Sequence, residues 1–316
     1  MEQKALQVGA TVLALALLLR LGLRSEQASM EMGKTLIFLS SGRMVLETMP
    51  PEETEATQPA AEVPPTDVIP VFGESEESLV QVSAPWEVDI PALLRTPLQW
   101  DLRSDAPTVL ILHSHATESY EKEAEYTETS PYRTLDTGYN MVSIGERVAE
   151  LLEDGGIRVI HDKTLHDYPA YNSAYGNARQ TITDILAGNP EICLVLDLHR
   201  DAAEDANGNQ KTSAVTIGGK SCANLMLVMG SDKGSLSYPN WEKNLSLAVK
   251  LQAALEQTYP GLCKPIKLVA SRYNQDLSTG ALLVEVGTAG NTHDEAMAAA
   301  EYLAEGILAL AKGANY

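Results

Sequence analysis

One stretch constrains the fold more than any other: residues 192–198, a nearly continuous apolar run with the sequence ICLVLDL. A strand that is apolar on both faces has to be buried on both faces, which is typical of the centre of a parallel sheet. Further strand-like runs occur at residues 109–112, 157–160, 266–270 and 281–286. The chain therefore predicts a sheet that is covered on both sides.

Amphipathic helices are predicted between these strands. Residues 139–153, 172–186 and 241–258 place apolar side chains at helical spacing, and a last helix is predicted to begin after a cap at Thr292. Asp136 and Thr137 are candidate caps for the first helix. Two strand-like runs between residues 212 and 229 have no helix between them, so they predict a hairpin or a mixed edge. Strands alternating with helices predict one three-layer α/β domain with a mostly parallel sheet over residues 94–316.

The N-terminal segment, residues 1–24, has a different character. An apolar run at residues 5–23 follows Lys4 and is closed by Arg20 and Arg24. It has about the 20 residues that a bilayer span requires. No small-residue cleavage site follows it closely. We therefore expect an uncleaved transmembrane anchor rather than a removed signal peptide, with the remainder of the chain exported.

Residues 25–93 predict an acidic, proline-rich stalk. Proline and acidic residues are interleaved over residues 49–84, and no Lys or Arg lies between Arg43 and Arg95. Such a segment buries too little apolar area to offset its ordering entropy, and like charges keep it extended. The formal net charge of −20 argues against a nucleic-acid partner, which would require a basic surface. None of the 3 Cys forms a C-x-x-C pair, so a cysteine zinc site is not expected.

Three predicted strand ends carry polar residues that an apolar strand does not need. Polar groups gather at strand ends where open α/β sheets place their chemistry. These residues are His113, His115, Glu118, Asp197, His199 and Glu285.

The donor set suits zinc, which in catalytic sites takes three protein ligands and leaves one position for water. His115 and Glu118 lie three residues apart, and His199 can complete the set from a neighbouring strand. Glu285, alone in an apolar strand, is the predicted general base. His113 is an alternative to His115 or a partner that orients a ligand, and Asp197 is a candidate to orient His199.

Basic and amide side chains near these strand ends are candidate substrate contacts. Arg200 follows His199 directly, and Arg272 and Asn274 precede the strand of Glu285. A guanidinium there could hold a substrate carboxylate with two hydrogen bonds. Ion pairs with Asp201 or Asp276 are the equally supported alternative.

Several motifs occur in an order that resembles a known family. They are LILHSHATESY, RTLDTGYNMVSIGE, VIHDKTLHDYPAYNSAYGNAR, VLDLHRDA, YPNWEKNL and SRYNQDLSTGALLVEVGTAGNT. Over about residues 105–310 the chain resembles the stage II sporulation protein P family, which the anchor and stalk also match. That family is similar to the zinc-dependent N-acetylmuramoyl-L-alanine amidases, whose fold is similar to zinc exopeptidases.

The resemblance implies a function and a setting. It implies a membrane-anchored peptidoglycan hydrolase that cuts the amide between N-acetylmuramic acid and L-alanine, and also peptide crosslinks, during forespore engulfment. It implies sporulation proteins D and M as partners, and a single-pass membrane location with the catalytic domain outside the cytoplasm, on the mother-cell side of the engulfing septum. The His-x-x-Glu spacing of the exopeptidase ligand pair favours His115 over His113. The amidases place their glutamate ligand at the start of the first helix, which keeps Asp136 as an alternative to Glu118.

Two other functions stay open at this point. A zinc carboxypeptidase or acyl-amino-acid deacylase would use the same ligands on small soluble substrates. A degenerate, non-catalytic module that binds the cell wall would need no zinc, although every proposed ligand is present.

Overall fold

The computed structural model describes residues 76–98, 101–123 and 125–313. It contains eleven strands and five α-helices in these ranges. The strands are β1 (Val82–Ser83), β2 (Val109–Leu112), β3 (Glu128–Ser130), β4 (Arg133–Thr134), β5 (Val159–His161), β6 (Leu194–Asp201), β7 (Ala214–Ile217), β8 (Lys220–Ala223), β9 (Leu225–Gly230), β10 (Ile266–Val269) and β11 (Ala281–Thr288). The helices are α1 (Ile90–Arg95), α2 (Met141–Asp154), α3 (Ala174–Gly188), α4 (Trp241–Thr258) and α5 (His293–Gly313).

Seven strands form the central sheet in the order β1-β10-β9-β11-β6-β2-β5. Every neighbouring pair is parallel except β11 and β9, which are antiparallel. The prediction of an α/β fold with a mostly parallel sheet is therefore confirmed. The apolar run of residues 192–198 supplies β6, which lies between β11 and β2 in the interior of the sheet.

The two faces of the sheet carry cores of very different size. One face presents Leu194, Leu196 and Leu198 of β6 to a large apolar cluster that includes residues of α2, α4 and α5. The other face presents Val195 to a small cluster with Ala178 of α3. Because side chains alternate across a strand, Asp197 and His199 lie on this second face. The smaller core leaves room there for polar side chains.

The folded domain begins earlier than predicted. Residues 76–93 were assigned to the stalk, but β1 lies in this segment and pairs with β10 at the edge of the sheet. Helix α1 packs against α4, where Lys250 and Ser246 donate to the backbone oxygen of Leu93. These contacts correct the predicted boundary at residue 94. The segment is too short for apolar periodicity to predict that it folds against the sheet. The remaining predicted stalk lies outside the described residues.

The predicted helix caps had mixed outcomes. Thr292 caps α5 as predicted, since its hydroxyl accepts from the backbone N–H of Glu295. Helix α2 begins later than predicted, because the side chain of Asn140 accepts from the N–H of Val142. Asp136 instead accepts from Gly138 within an exposed turn. Asn is as good an N-cap as Asp, so composition alone does not choose between them.

The segment between β6 and α4 differs from both predicted arrangements, because the two predicted strand runs do not pair with each other and the second lies inside the sheet, between β10 and β11. Strands β7 and β8 make a separate two-stranded hairpin, and β9 joins the central sheet as the antiparallel neighbour of β11. Within residues 76–98, 101–123 and 125–313, no helix combines the length and the apolar character needed to cross a bilayer. The predicted anchor, residues 1–24, lies outside these ranges.

Candidate active site

The sheet brings the predicted strand ends together. Glu285 of β11 pairs in register with His199 of β6, and Leu112, the last residue of β2, pairs with Asp197. Strand β2 ends there, and residues 114–117 form a turn that carries His115 and Glu118 over the carboxyl end of β6. These segments meet because the strands that carry them are parallel, and neighbouring parallel strands end at the same edge of the sheet.

Asp197 fixes both the turn and the imidazole of His199. Its Oδ1 accepts the backbone N–H of Ser114 at 2.7 Å and its Oδ2 accepts the Ser114 hydroxyl at 2.5 Å. His199 Nε2 lies 2.8 Å from Asp197 Oδ1. Burial alone would lower the pKa of His199, but the charges of Asp197 and Glu118 outweigh it and hold this pKa well above its ordinary value. Asp197 therefore contacts Nε2 of His199, and Nδ1 of the same ring remains available to the candidate site.

Glu118 faces that second nitrogen. Its Oε2 lies 3.5 Å from His199 Nδ1 and accepts the backbone N–H of Arg200 at 3.3 Å. Its Oε1 accepts from Arg133 at 3.0 Å. Burial alone would raise the pKa of Glu118, but the charge of Arg200 and the contact with His199 hold it well below the ordinary value. The carboxylate is therefore ionised and oriented.

His115 lies beside this pair. Its ring centroid is 5.5 Å from that of His199 and 4.5 Å from that of Tyr171, on which it stacks. Its Nδ1 is buried, has no hydrogen-bond partner, and lies 3.7 Å from Asp167 Oδ2. A buried nitrogen without a partner is costly unless something else binds nearby or the ring shifts.

Glu285 has the features expected of a proton-transfer group. Its Oε2 is buried without a hydrogen-bond partner, and the strand around it is apolar. Burial raises the pKa of the Glu285 carboxyl to about 8, with only partial compensation from His199. A carboxyl whose pKa is near neutrality can both accept and return a proton at the pH of a cell.

His113 lies away from this group, against α2. Its Nε2 is 2.9 Å from His161 Nε2, its Nδ1 is 3.1 Å from the Leu198 carbonyl oxygen, and His161 Nδ1 is 2.9 Å from Glu146. Gly145 makes room for the pair, because a Cβ there would lie 2.5 Å from His113 Nε2. Burial and the neighbouring His161 lower the pKa of His113 to about 3. Both ring nitrogens of His113 are thus engaged outside the cluster of His115, Glu118 and His199.

The candidate substrate contacts are engaged within the protein. Arg200 is buried and donates to the backbone oxygens of Ser119 and Tyr132, both at 3.0 Å. Arg272 donates to Asp276 at 3.3 Å, as the ion-pair alternative proposed. Asn274 donates to the backbone oxygen of Tyr175 at 2.8 Å.

Sequence reasoning missed Arg133, Asp167 and three tyrosines. Tyr171 and Tyr175 contact the His115 ring, and Tyr273 lies 5.7 Å from Tyr175 between ring centroids. Arg133, Asp167, Tyr171 and Tyr175 do not stand directly after an apolar strand, which was the signal that selected the histidine and carboxylate candidates. The HDYP motif around Asp167 was visible, but only the tertiary structure brings it to the turn of His115.

The fit of these residues to a metal ion can be judged from their donor atoms. Two ligands of a tetrahedral zinc ion, each about 2.0–2.2 Å from it, are about 3.4 Å apart. The 3.5 Å between His199 Nδ1 and Glu118 Oε2 meets this spacing. The His115 ring lies nearby, 5.5 Å from that of His199 between centroids, and its Nδ1 has no hydrogen-bond partner. Among the described residues, no group of three or more His, Cys, Asp or Glu side chains is arranged so that it could hold a metal ion as it stands. Two donors thus fit as they stand, and the third requires adjustment.

A family model places the chain among known proteins. The model of stage II sporulation protein P matches residues 37–308. This chain belongs to the stage II sporulation protein P family. A curated member, stage II sporulation protein P of Bacillus subtilis (strain 168), is 30% identical over 263 residues. The match covers 80% of this chain and 62% of the length of that relative. The resemblance noted from the motifs is thereby confirmed.

Two of the solved structures that are similar to this family member are described as amidases. The CwlD amidase of Clostridioides difficile, in complex with the GerS lipoprotein, has a TM-score of 0.42 and 16% identity, covering 63% of this chain and 96% of the amidase. An N-acetylmuramoyl-L-alanine amidase of Clostridium difficile 630 has a TM-score of 0.38 and 20% identity, covering 66% and 95%. At these scores the likeness carries no conclusion about chemistry.

Proposed function

We propose that this member of the stage II sporulation protein P family is a zinc-dependent peptidoglycan hydrolase that cuts the amide between N-acetylmuramic acid and L-alanine, and also peptide crosslinks. The observation that carries the proposal is that His115, Glu118, His199 and Glu285, which come from three separate strand ends, lie close together. An ionised carboxylate and an imidazole nitrogen 3.5 Å apart, next to a buried carboxyl, suit hydrolysis of a stable amide better than simple binding.

His115, Glu118 and His199 are the residues that would hold the zinc ion. Zinc, when bound, supplies a Lewis acid and a water of lowered pKa. The protein prepares the site in two ways. Asp197 occupies His199 Nε2, which leaves Nδ1 as the binding nitrogen, and Arg133 occupies Glu118 Oε1, which leaves Oε2 toward His199.

Glu285 supplies the proton transfers. Amide hydrolysis requires a base that takes a proton from the attacking water and an acid that gives one to the leaving amine. The buried Oε2 of Glu285 has no competing hydrogen bond, and burial raises the pKa of this carboxyl toward that of an acid–base catalyst. One carboxyl can thus perform both transfers in sequence.

Family membership supports the biological setting of the proposal. We infer a role in forespore engulfment, with sporulation proteins D and M as partners and a single-pass anchor that holds the catalytic domain outside the cytoplasm, on the mother-cell side of the engulfing septum. These inferences extend beyond the described residues and depend on the family alone.

The proposal is tested by digestion of purified sacculi with the full chain in detergent. Mass spectrometry of the released fragments identifies the new ends, in the presence and absence of a chelator. We expect free L-alanine amino termini, loss of digestion with the chelator, and recovery when zinc is added back. Peptide ends alone would indicate an endopeptidase.

Two results would contradict the proposal. Release of amino acids from soluble peptides without digestion of sacculi would favour the carboxypeptidase or deacylase alternative. Binding to sacculi with no new ends and no bound zinc would favour the non-catalytic module.

A further inference from the structure

The two proposed imidazole ligands face similar carboxylates. On one side of the turn that carries His115, Asp197 clamps the N–H and hydroxyl of Ser114 and lies 2.8 Å from His199 Nε2. On the other side, Asp167 accepts the N–H of Thr117 at 3.2 Å and its hydroxyl at 2.6 Å. The same arrangement therefore occurs twice in one turn: a buried carboxylate accepts both the backbone N–H and the hydroxyl of a single residue.

The second carboxylate approaches His115 as the first approaches His199. Asp167 has a fully buried side chain, and its Oδ2 lies 3.7 Å from His115 Nδ1. That nitrogen is buried and has no hydrogen-bond partner. This distance of 3.7 Å is longer than the 2.8 Å between Asp197 Oδ1 and His199 Nε2. A small rotation of the His115 ring would bring the second pair to hydrogen-bond distance.

One guanidinium links Asp167 to the carboxylate ligand. Arg133 NH1 donates to Asp167 Oδ2 at 2.7 Å, and its NH2 donates to Glu118 Oε1 at 3.0 Å. The same NH1 donates to the Thr117 hydroxyl at 3.1 Å. Arg133 thus binds the two carboxylates that flank His115, and only Oε2 of Glu118 remains toward His199.

Tyr171 packs against both the His115 ring and Arg133. Tyr171 stacks on His115 at 4.5 Å between centroids, and the Arg133 guanidinium lies 4.6 Å from the centroid of the same tyrosine. Tyr132, directly before Arg133, has a left-handed backbone with φ of 57°, and its carbonyl oxygen accepts from Ser119 and Arg200. A non-glycine residue is held in that conformation only where the structure around it compensates, which is common at functional sites.

We propose that Asp167 and Arg133 are positioning residues for the zinc site, a role that rests on the proposed function. Asp167 keeps an N–H proton on Nδ1 of the His115 ring, so that Nε2 is the nitrogen that binds the metal. Because a neutral imidazole has one N–H and one lone pair, fixing the proton on one nitrogen fixes the ligand atom. Arg133 holds Glu118 so that Oε2 is its ligand oxygen.

The first test measures zinc affinity of the full chain in detergent by competition with a chromogenic chelator. We expect Asp167→Asn and Arg133→Gln each to weaken zinc binding about 10- to 100-fold, the loss typical of groups that orient metal ligands. Arg133→Lys should recover only part of the loss, because an ammonium cannot reproduce the fork of a guanidinium. Asp184→Asn, at an exposed position of α3, and Arg147→Gln, at a partly exposed position of α2 that pairs with Glu301, are the matched controls, with changes below about twofold expected.

Two further measurements separate positioning from general loss of structure. Nitrogen-15 NMR of the imidazole rings should show the His115 proton on Nδ1 in the metal-free protein, and a shift toward the other tautomer in Asp167→Asn. The double variant should lose about as much zinc affinity as the weaker-binding single variant, because the two residues act as one unit. Thermal unfolding should report a folded domain in each variant.

The inference and the proposed function can fail separately. If the wild-type chain binds zinc and both variants, folded, bind it equally well, the positioning role is wrong and the zinc function stands. If the wild-type chain binds no zinc, the zinc function fails and the role in a zinc site fails with it. An unchanged His115 tautomer in folded Asp167→Asn would also overturn the role assigned to Asp167.

Discussion

On the face covered by α2, α4 and α5, strand β6 presents Leu194, Leu196 and Leu198 to a continuous apolar core. On the opposite face, the same strand presents Val195 to a small cluster under α3 and then Asp197 and His199 to the candidate site. The face with the larger core supplies stability, and the less covered face has space for charge. A single strand thus supports both, because its side chains alternate.

The histidines of the chain follow the same division. His113 lies against α2 with both ring nitrogens engaged, and burial lowers its pKa to about 3. His199 lies on the other face between two carboxylates, which hold its pKa well above the ordinary value despite burial. Burial is nearly complete for both residues. The surrounding charge, rather than exposure, therefore distinguishes the structural histidine from the proposed ligand.

The largest expected effect concerns proton transfer on the polar face. Glu285→Gln keeps the shape of the side chain and removes its acid–base capacity, so the rate of sacculus digestion should fall by about 10²- to 10⁴-fold. Bound zinc, measured by elemental analysis, should be unchanged. Glu150→Gln, an exposed carboxyl on α2, is the control and should retain full activity. Digestion at the wild-type rate by Glu285→Gln would remove Glu285 from the mechanism.

The next prediction compares the substitution of one histidine on each face of the sheet. His199→Asn should abolish stoichiometric zinc binding, because it removes a proposed ligand. His113→Asn should lower the free energy of unfolding by about 1–3 kcal/mol, since it leaves the His161 ring and the Leu198 carbonyl oxygen without their partner, while zinc stays bound. Elemental analysis and urea unfolding check both. Loss of zinc in folded His113→Asn would instead favour His113 as a ligand.

A smaller effect is expected from packing on the apolar face. In Gly145→Ala the added Cβ would lie 2.5 Å from His113 Nε2 and 2.6 Å from His161 Nε2, so the pair has to move. Overpacking of this kind costs about 1–3 kcal/mol in the free energy of unfolding. Gly176→Ala in α3 is the matched control, because its Cβ meets nothing within 4 Å. It should be neutral or stabilise by up to about 1 kcal/mol. Equal stability of the two variants in urea would show that the histidine pair adapts freely.

The smallest effect is a pH dependence from the apolar face. Burial lowers the pKa of Lys250 to about 8, below its unfolded value near 10.5. Between these two values the unfolded chain binds a proton that the folded chain has released, so this residue makes stability rise with pH. Relative to Lys250→Met, the wild-type free energy of unfolding should therefore increase from pH 8 to pH 10. A difference between the two proteins that is constant with pH would contradict the lowered pKa.

Much of the fold could be predicted from local patterns in the sequence. Apolar runs and helical periodicity predicted the α/β class and nearly all central strands, because burial of apolar surface acts through spacing along the chain. The family resemblance also rested on local motifs, which can be read from the sequence without the tertiary structure. The segment of β1 and α1 was assigned to the stalk, because two paired strand residues and a six-residue helix are too short to produce a periodic signal.

The sequence by itself determined which strand ends carry imidazoles and carboxylates, since these stand out from the apolar runs before them. Only the tertiary structure decided that His113 turns to α2 while His115 lies beside Glu118 and His199, because β2 ends at Leu112 and the chain turns there. It also brought Asp167 and Arg133 to that turn from distant segments. The identity of a donor is a local property of the chain, whereas the partner of each nitrogen and oxygen is set by contacts between segments far apart in sequence.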